Sequence, residues 1–421
     1  MSFSALPRLA ACLLGCTLAA APPAADAAPP ELANRPLQLV REMAPGPLRE
    51  RLQACADAPL LRHPFSIGHR GAPLGFPEHT RESYTAAGLQ GASRIECDAT
   101  PTRDGVLVCR HAQCDLHSTT DILQGPLAGR CRQPFTPADA ALGRPAAALC
   151  CSSDLSLAEF RQLKGRNDVV DPAATTLQGY LAPGGTDRGT LLTHAESIGL
   201  IDGLGADMIP ELKRPDPGLA LPKPMERKEL ARQLIREYLD AGIAPERVTP
   251  QSYVLDDVRF WQTEFPAFGA HAAWLDPRAQ EEPAFDPRNP VSWRPSMAEL
   301  VAAGVKVLAP PMPVLLDLEQ GHIVPSAYAR AARAAGLRLI SWTTERSGAL
   351  EAGGGFYYAS IRAAIHDDGD IYPVIDVLVR QVGIEALFSD WPATTTFYAN
   401  CMLPQGQEQR QGPRPIQDGL R

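Results

Sequence analysis

The sequence predicts an α/β fold of the TIM-type (β/α)8 barrel class with a disulfide-rich insertion after strand two. Three observations carry that expectation. From Ser66 onward short β-branched or apolar runs alternate with helical stretches, the pattern of parallel strands joined by crossover helices. The strand-like runs number eight, at 66–70, 94–99, 206–213, 247–253, 268–275, 305–309, 337–343 and 385–390. The rhythm breaks over 112–190, where four cysteines and many prolines and glycines replace it, and so long a segment inside a compact domain is functional or stapled.

The elements follow in chain order. Arg8 precedes a short apolar run, Leu9 to Ala21, too brief to span a bilayer, so residues 1–28 read as a secretory signal peptide. Two processing signals compete there. Ala25-Asp26-Ala27 has the small-x-small cleavage form, whereas Leu13-Leu14-Gly15-Cys16 resembles a lipobox that would place a lipid anchor on Cys16. The protein is expected to be exported, periplasmic or secreted, with or without that anchor. Residues 29–62 are Pro-rich and read as an arm, with Cys55 placed to staple it. Residues 63–400 form the barrel domain, with helices expected at 80–90, 226–241, 296–303, 325–335 and 371–381 and an added hairpin arm at 105–110. Residues 401–421 read as a polar tail, and no later run reaches the ~18 consecutive apolar residues of a membrane helix.

Setting aside Cys12 and Cys16 leaves eight cysteines, an even number that suits disulfides in an exported chain. Adjacent cysteines bond one another only with strain, so Cys150 and Cys151 should each reach a separate partner. The formal charge of −8 argues against a nucleic-acid partner, which would call for surplus Lys and Arg. Small anionic substrates need only local positive charge.

Active sites of such barrels gather at the C-terminal ends of the strands, and polar residues are dense there: His69-Arg70-Gly71, Glu96-Cys97-Asp98, His111, Glu211-Leu212-Lys213, Gln251 and Trp342. Side chains alternate along a strand, so Glu96 and Asp98 share one face and Cys97 takes the other, and Glu211 pairs with Lys213 in the same way. Three carboxylates converging on a barrel mouth would raise one another's pKa unless a cation lay between them. An all-oxygen set selects Ca2+ or Mg2+ over zinc. An E-x-D taken alone is better explained by a salt-bridged, solvent-facing edge, but Ile95 and the following Ala99-Thr100 suggest a barrel strand whose inward face would otherwise be apolar. Arg70 offers a fork for phosphate oxygens and Gly71 lets a ligand approach the backbone. Trp342 suits an aromatic wall or plain core equally. His117, His194, His271, His322 and His366 read as surface or structural.

With these motifs in this order, the chain resembles the glycerophosphodiester phosphodiesterases. The resemblance runs from Ile67 to about Pro392, through His69-Arg70-Gly71, Pro77-Glu78-His79-Thr80, Glu96-Cys97-Asp98, His111, Glu211-Leu212-Lys213, Trp342-Thr343 and Ser389-Asp390-Trp391-Pro392. It implies metal-dependent hydrolysis of a small glycerophosphodiester to sn-glycerol 3-phosphate and an alcohol. In that scheme His69 and His111 are acid and base, Glu96, Asp98 and Glu211 hold the ion, and Arg70, Lys213 and Trp342 contact substrate, with Glu78 and Gln251 in support. Two positions depart from the family pattern: His79 stands where Asn is usual, and Ala112 where Asp commonly follows the second histidine. The rival readings are a phospholipase D of the sphingomyelinase D kind, which would need an exposed apolar rim, and a non-catalytic surface binding lipoprotein, which would not preserve the whole set.

Overall fold

The computed structural model describes residue 1 and residues 30–404, apart from 217 and 223. The signal segment after residue 1, including Cys16, and most of the polar tail lie outside the described residues.

Eight parallel strands close a barrel. Strand one is His63–Gly68. Strand two comes in two pieces, Ala92–Ile95 and Asp98–Pro101, as does strand three, Asp207–Met208 and Glu211–Leu212. Strands four to eight are Gln251–Ser252, Ala273–Leu275, Val307–Ala309, Arg338–Ser341 and Ala386–Ser389. Each pairs in parallel with the next, lower and upper pieces of strands two and three pairing separately, and strand eight returns to strand one through Ser66 and Leu387. The ring therefore has no free edge between strands eight and one.

The strands are shorter than the sequence suggests. Residues 206–213 are interrupted at Pro210, which has no N–H for the ladder, and Pro266–Gly269 is helical where strand five was expected to begin. The hairpin arm is Leu107–Cys109, antiparallel to the upper piece of strand two. A hairpin at Leu316–Glu319 and His322–Pro325 carries no counterpart in the sequence reading.

Two apolar layers hold the barrel. Ile67, Ile209, Ala273, Leu275, Val307, Ala309, Ile340, Trp342, Ala386 and Phe388 fill its lumen, mostly at every second strand position. A larger cluster lies between the strands and the surrounding helices. The Pro-rich arm is helical over Pro30–Glu42 and Pro47–Ala54. Pro47 sits in the first turn, where its missing N–H costs nothing, while Leu39, Val40 and Met43 bury against the outer cluster and offset the bond lost at Pro36.

The insertion has a core of its own, including Leu116, Ile122, Leu155, Phe160 and Tyr180. Contrary to the irregular segment expected, it contains short antiparallel pairs, Gln133–Thr136 with Ala147–Leu149 and Lys164–Gly165 with Gly189–Thr190. Disulfides Cys114–Cys151 and Cys131–Cys150 staple it, so the neighbouring cysteines do reach separate partners. Cys97–Cys109 ties strand two to the hairpin arm, and Cys55–Cys401 ties the N-terminal helices to the last helix, Ala393–Met402.

Candidate active site

The alternation that fills the lumen continues upward and changes chemistry at the strand ends. Two residues beyond Ile67 stands His69; two beyond Ile209 stands Glu211, then Lys213; two beyond Phe388 stands Asp390. The result is a cavity of about 570 Å3 lined by His69, Arg70, Glu96, Asp98, His111, Glu211, Lys213 and Trp342, together with Tyr253, Tyr357 and Arg214. Eight of the ten residues singled out from the sequence meet there; Glu78 and Gln251 stand behind it.

The first loop fixes its geometry through backbone strain. Arg70 and His79 both adopt left-handed conformations, with φ of 54° and 56°. The Arg70 N–H donates to Glu96 Oε2 at 2.9 Å, and the His79 N–H donates to the Arg70 carbonyl at 3.1 Å. Gly71 is also left-handed, and a Cβ there would collide with Ser83. His79 is fully buried, its Nε2 3.0 Å from Asp98 Oδ2 and its Nδ1 2.9 Å from the Tyr84 hydroxyl. Burial depresses the His79 imidazole to about 4 against the pull of Asp98, so it is neutral at pH 7 and donates to the carboxylate. The departure from Asn thus still places a donor on Asp98.

Oxygens of Glu96, Asp98 and Glu211 lie within 4.8 Å of one another. Burial, then the neighbouring Asp98 and Glu211, push Glu96 well above the ordinary carboxyl range. Burial also raises Glu211, to about 7, although Lys213 Nζ stands 2.8 Å from its Oε1. Asp98 moves the other way, because Lys213 and His79 outweigh its burial, yet its Oδ1 is buried without a protein partner. Gln251 Nε2 donates to Glu96 Oε1 at 2.8 Å and orients it. Three hard oxygen donors with an unfilled lone-pair direction fit a divalent cation.

His69 Nδ1 is 2.5 Å from Asp390 Oδ1, and its Nε2 is 3.9 Å from Glu96 Oε2. Burial lowers its pKa more than Asp390 raises it, so the neutral ring donates from Nδ1 and keeps an Nε2 lone pair for the cavity. His111, half-buried at the end of the hairpin arm, is held low by burial and by Arg70 and Lys213. Arg70 Nη1 donates to Glu78 Oε2 at 2.8 Å. Trp342 is wall and core at once: its indole donates to the Ala309 carbonyl at 2.9 Å while its rings meet Tyr253 and Tyr357 edge-on. Of the five histidines read as structural, His194 is buried against Glu237 and Tyr238, and His366 is exposed beside Asp370.

Asp390 was singled out only as part of the closing Ser389-Asp390-Trp391-Pro392 motif, with no role of its own, and Tyr253 and Arg346 were not singled out. Asp390 and Tyr253 follow inward residues by two, so strand alternation could have found them; Arg346 lies in an irregular loop and carries no such signal.

A family model described as the glycerophosphoryl diester phosphodiesterase family matches residues 69–394. A protein of Arthroderma benhamiae named "Extracellular protein" is 42% identical over 248 residues, covering 56% of this chain and 98% of that one. A Mycobacterium tuberculosis protein named "Probable glycerophosphodiester phosphodiesterase 1" is 52% identical over 56 residues, which is 13% of this chain and 20% of that one. A crystal structure from Silicibacter pomeroyi DSS-3, of a chain given the same family name, superposes with a TM-score of 0.53 at 18% identity, covering 82% of this chain and 97% of that one, a likeness that bears on the fold alone.

Proposed function

Since the chain belongs to the glycerophosphoryl diester phosphodiesterase family, we propose that its cavity hydrolyses a small glycerophosphodiester to sn-glycerol 3-phosphate and an alcohol by two-histidine acid–base catalysis. The observation that carries the reading is the convergence of His69, His111, the clustered Glu96, Asp98 and Glu211, and the cations Arg70 and Lys213 on one barrel mouth. A phosphodiester is protected by its own negative charge, so a catalyst must neutralise charge, deprotonate the nucleophile and protonate the leaving alkoxide.

Glu96, Asp98 and Glu211 would hold a divalent cation, Ca2+ or Mg2+, which when bound supplies Lewis-acid charge. Arg70 and Lys213 add fixed positive charge for the phosphoryl oxygens. His69, with Nδ1 anchored on Asp390, accepts the proton of the attacking hydroxyl, be it water or the neighbouring glycerol hydroxyl, the latter giving a cyclic phosphate that water then opens to the monoester. His111 returns a proton to the leaving oxygen. The cations that depress it in the free enzyme, Arg70 and Lys213, are the ones a bound phosphate anion would neutralise, which favours its protonated form once substrate is in place. Trp342, Tyr253 and Tyr357 wall the apolar side of the cavity against the glycerol carbons. Four disulfides and the relative named "Extracellular protein" support a secreted enzyme, and no described helix is long and apolar enough to cross a membrane.

The test is release of sn-glycerol 3-phosphate from glycerophosphocholine, glycerophosphoethanolamine and glycerophosphoinositol, with sphingomyelin and lysophosphatidylcholine vesicles alongside. Turnover of the small diesters, loss on chelation and recovery with Ca2+ or Mg2+ are expected. His69→Ala and His111→Ala should each lose at least about 10²-fold, and His111→Ala should recover on a nitrophenyl diester, whose leaving group needs no proton. Faster turnover of the vesicles would favour the phospholipase D reading, and both variants near wild-type activity would remove the histidines from the mechanism.

A further inference from the structure

We propose that Arg346, which does not line the cavity, is a positioning residue that aligns His69 and Arg70 together through one guanidinium, with the insertion contributing through Asp168. The inference rests on the catalytic reading of His69 and Arg70 given above. Arg346 Nη1 lies 3.4 Å from Asp390 Oδ2 and its Nη2 3.0 Å from Glu78 Oε2. The other oxygen of Asp390, Oδ1, is the one that receives His69 Nδ1 at 2.5 Å. Glu78 Oε2 is the same oxygen that receives Arg70 Nη1 at 2.8 Å. One carboxylate therefore stands between Arg346 and each working side chain, Asp390 through its two oxygens and Glu78 through one shared oxygen, and the two relays meet at a single fork.

Both carboxylates are buried, at 4% and 2% exposure, and need fixed countercharge to remain ionised in one orientation. A planar guanidinium can hold two carboxylates at a set separation, which a point-like ammonium cannot. A third carboxylate, Asp168 Oδ2, lies 3.6 Å from Nη2. Asp168 belongs to the insertion, while Arg346 follows strand seven, Asp390 strand eight and Glu78 strand one. Asp168 brings the insertion into contact with this relay, so docking of the insertion and alignment of the two working groups are mechanically joined.

Wild type, Arg346→Ala, Arg346→Lys and Asp168→Asn are compared on the best small diester, with thermal unfolding recorded for each. Arg346→Ala is expected to lower kcat and raise KM together, for a combined loss of roughly 10- to 100-fold, because it releases both groups. Added guanidinium should restore part of that loss, since the Arg346 side chain is 23% exposed and leaves a route in. Arg346→Lys should stay impaired, and Asp168→Asn should show a smaller change of the same kind. Arg346→Ala activity within about twofold of wild type would overturn the inference. So would a loss that tracks a lowered unfolding midpoint and ignores guanidinium. A wild-type protein inactive on every diester would instead overturn the catalytic reading, and this inference with it.

Discussion

Glu211 shows how burial and charge compete at one side chain. Its lysine neighbour is in contact, yet desolvation holds the carboxyl up to about 7, and burial with the adjacent carboxylates raises Glu96 as well. A cation needs these groups deprotonated, so metal binding must displace protons below that pH. Affinity for Ca2+ or Mg2+ is therefore expected to rise with pH through the region around 7 where Glu211 titrates, by roughly tenfold per pH unit for each proton displaced. Calorimetric titration at pH 6, 7 and 8 checks the slope, and an affinity flat across that range would contradict it. Glu96, Asp98, Glu211 and Lys213 were legible from the sequence because strand alternation places side chains two apart on one face. Arg346 was not: its contacts with Glu78, Asp168 and Asp390 span separations that no local pattern encodes.

At the scale of elements, strand two and its hairpin arm are joined by both a ladder and a disulfide. Cys97 sits between two of the clustered carboxylates, and its partner Cys109 precedes His111 by two residues, so one bridge ties both sides of the cavity. Replacing both cysteines by serine is expected to cost ~3 kcal/mol for a loop of this length. It should lower kcat more than it raises KM, since His111 loses its support. Urea unfolding and steady-state kinetics measure the two effects separately; unchanged kcat at reduced stability would show the bridge to be purely structural. All eight strands were legible from runs of β-branched and apolar residues, but their extents were not. Pro210 breaks strand three and Pro266 begins a helical turn, so the ladder is set by which N–H groups exist as much as by side-chain pattern. The insertion's own core was hidden for a related reason: Leu116, Ile122 and Phe160 come from separate short turns and share no period.

For the whole molecule, the order of strands and the place of the cavity followed from the sequence, whereas disulfide connectivity beyond the separate partners of Cys150 and Cys151 had to come from the fold. Cys55 and Cys401 are 346 residues apart in the chain and have Cα atoms 5.8 Å apart in space. Between them the polypeptide is a macrocycle closed through sulfur. One hydrolysed peptide bond anywhere in that ring linearises it without dividing it, and two are needed to release a fragment unless an inner bridge retains it. A protease site grafted at the exposed Gln320-Gly321 turn, which no inner bridge encloses, makes the point measurable. The cut protein should migrate as a single species without reductant and as two pieces with it. In a milieu that contains proteases, covalent integrity then depends on the oxidation state of one pair of cysteines rather than on the survival of every surface turn.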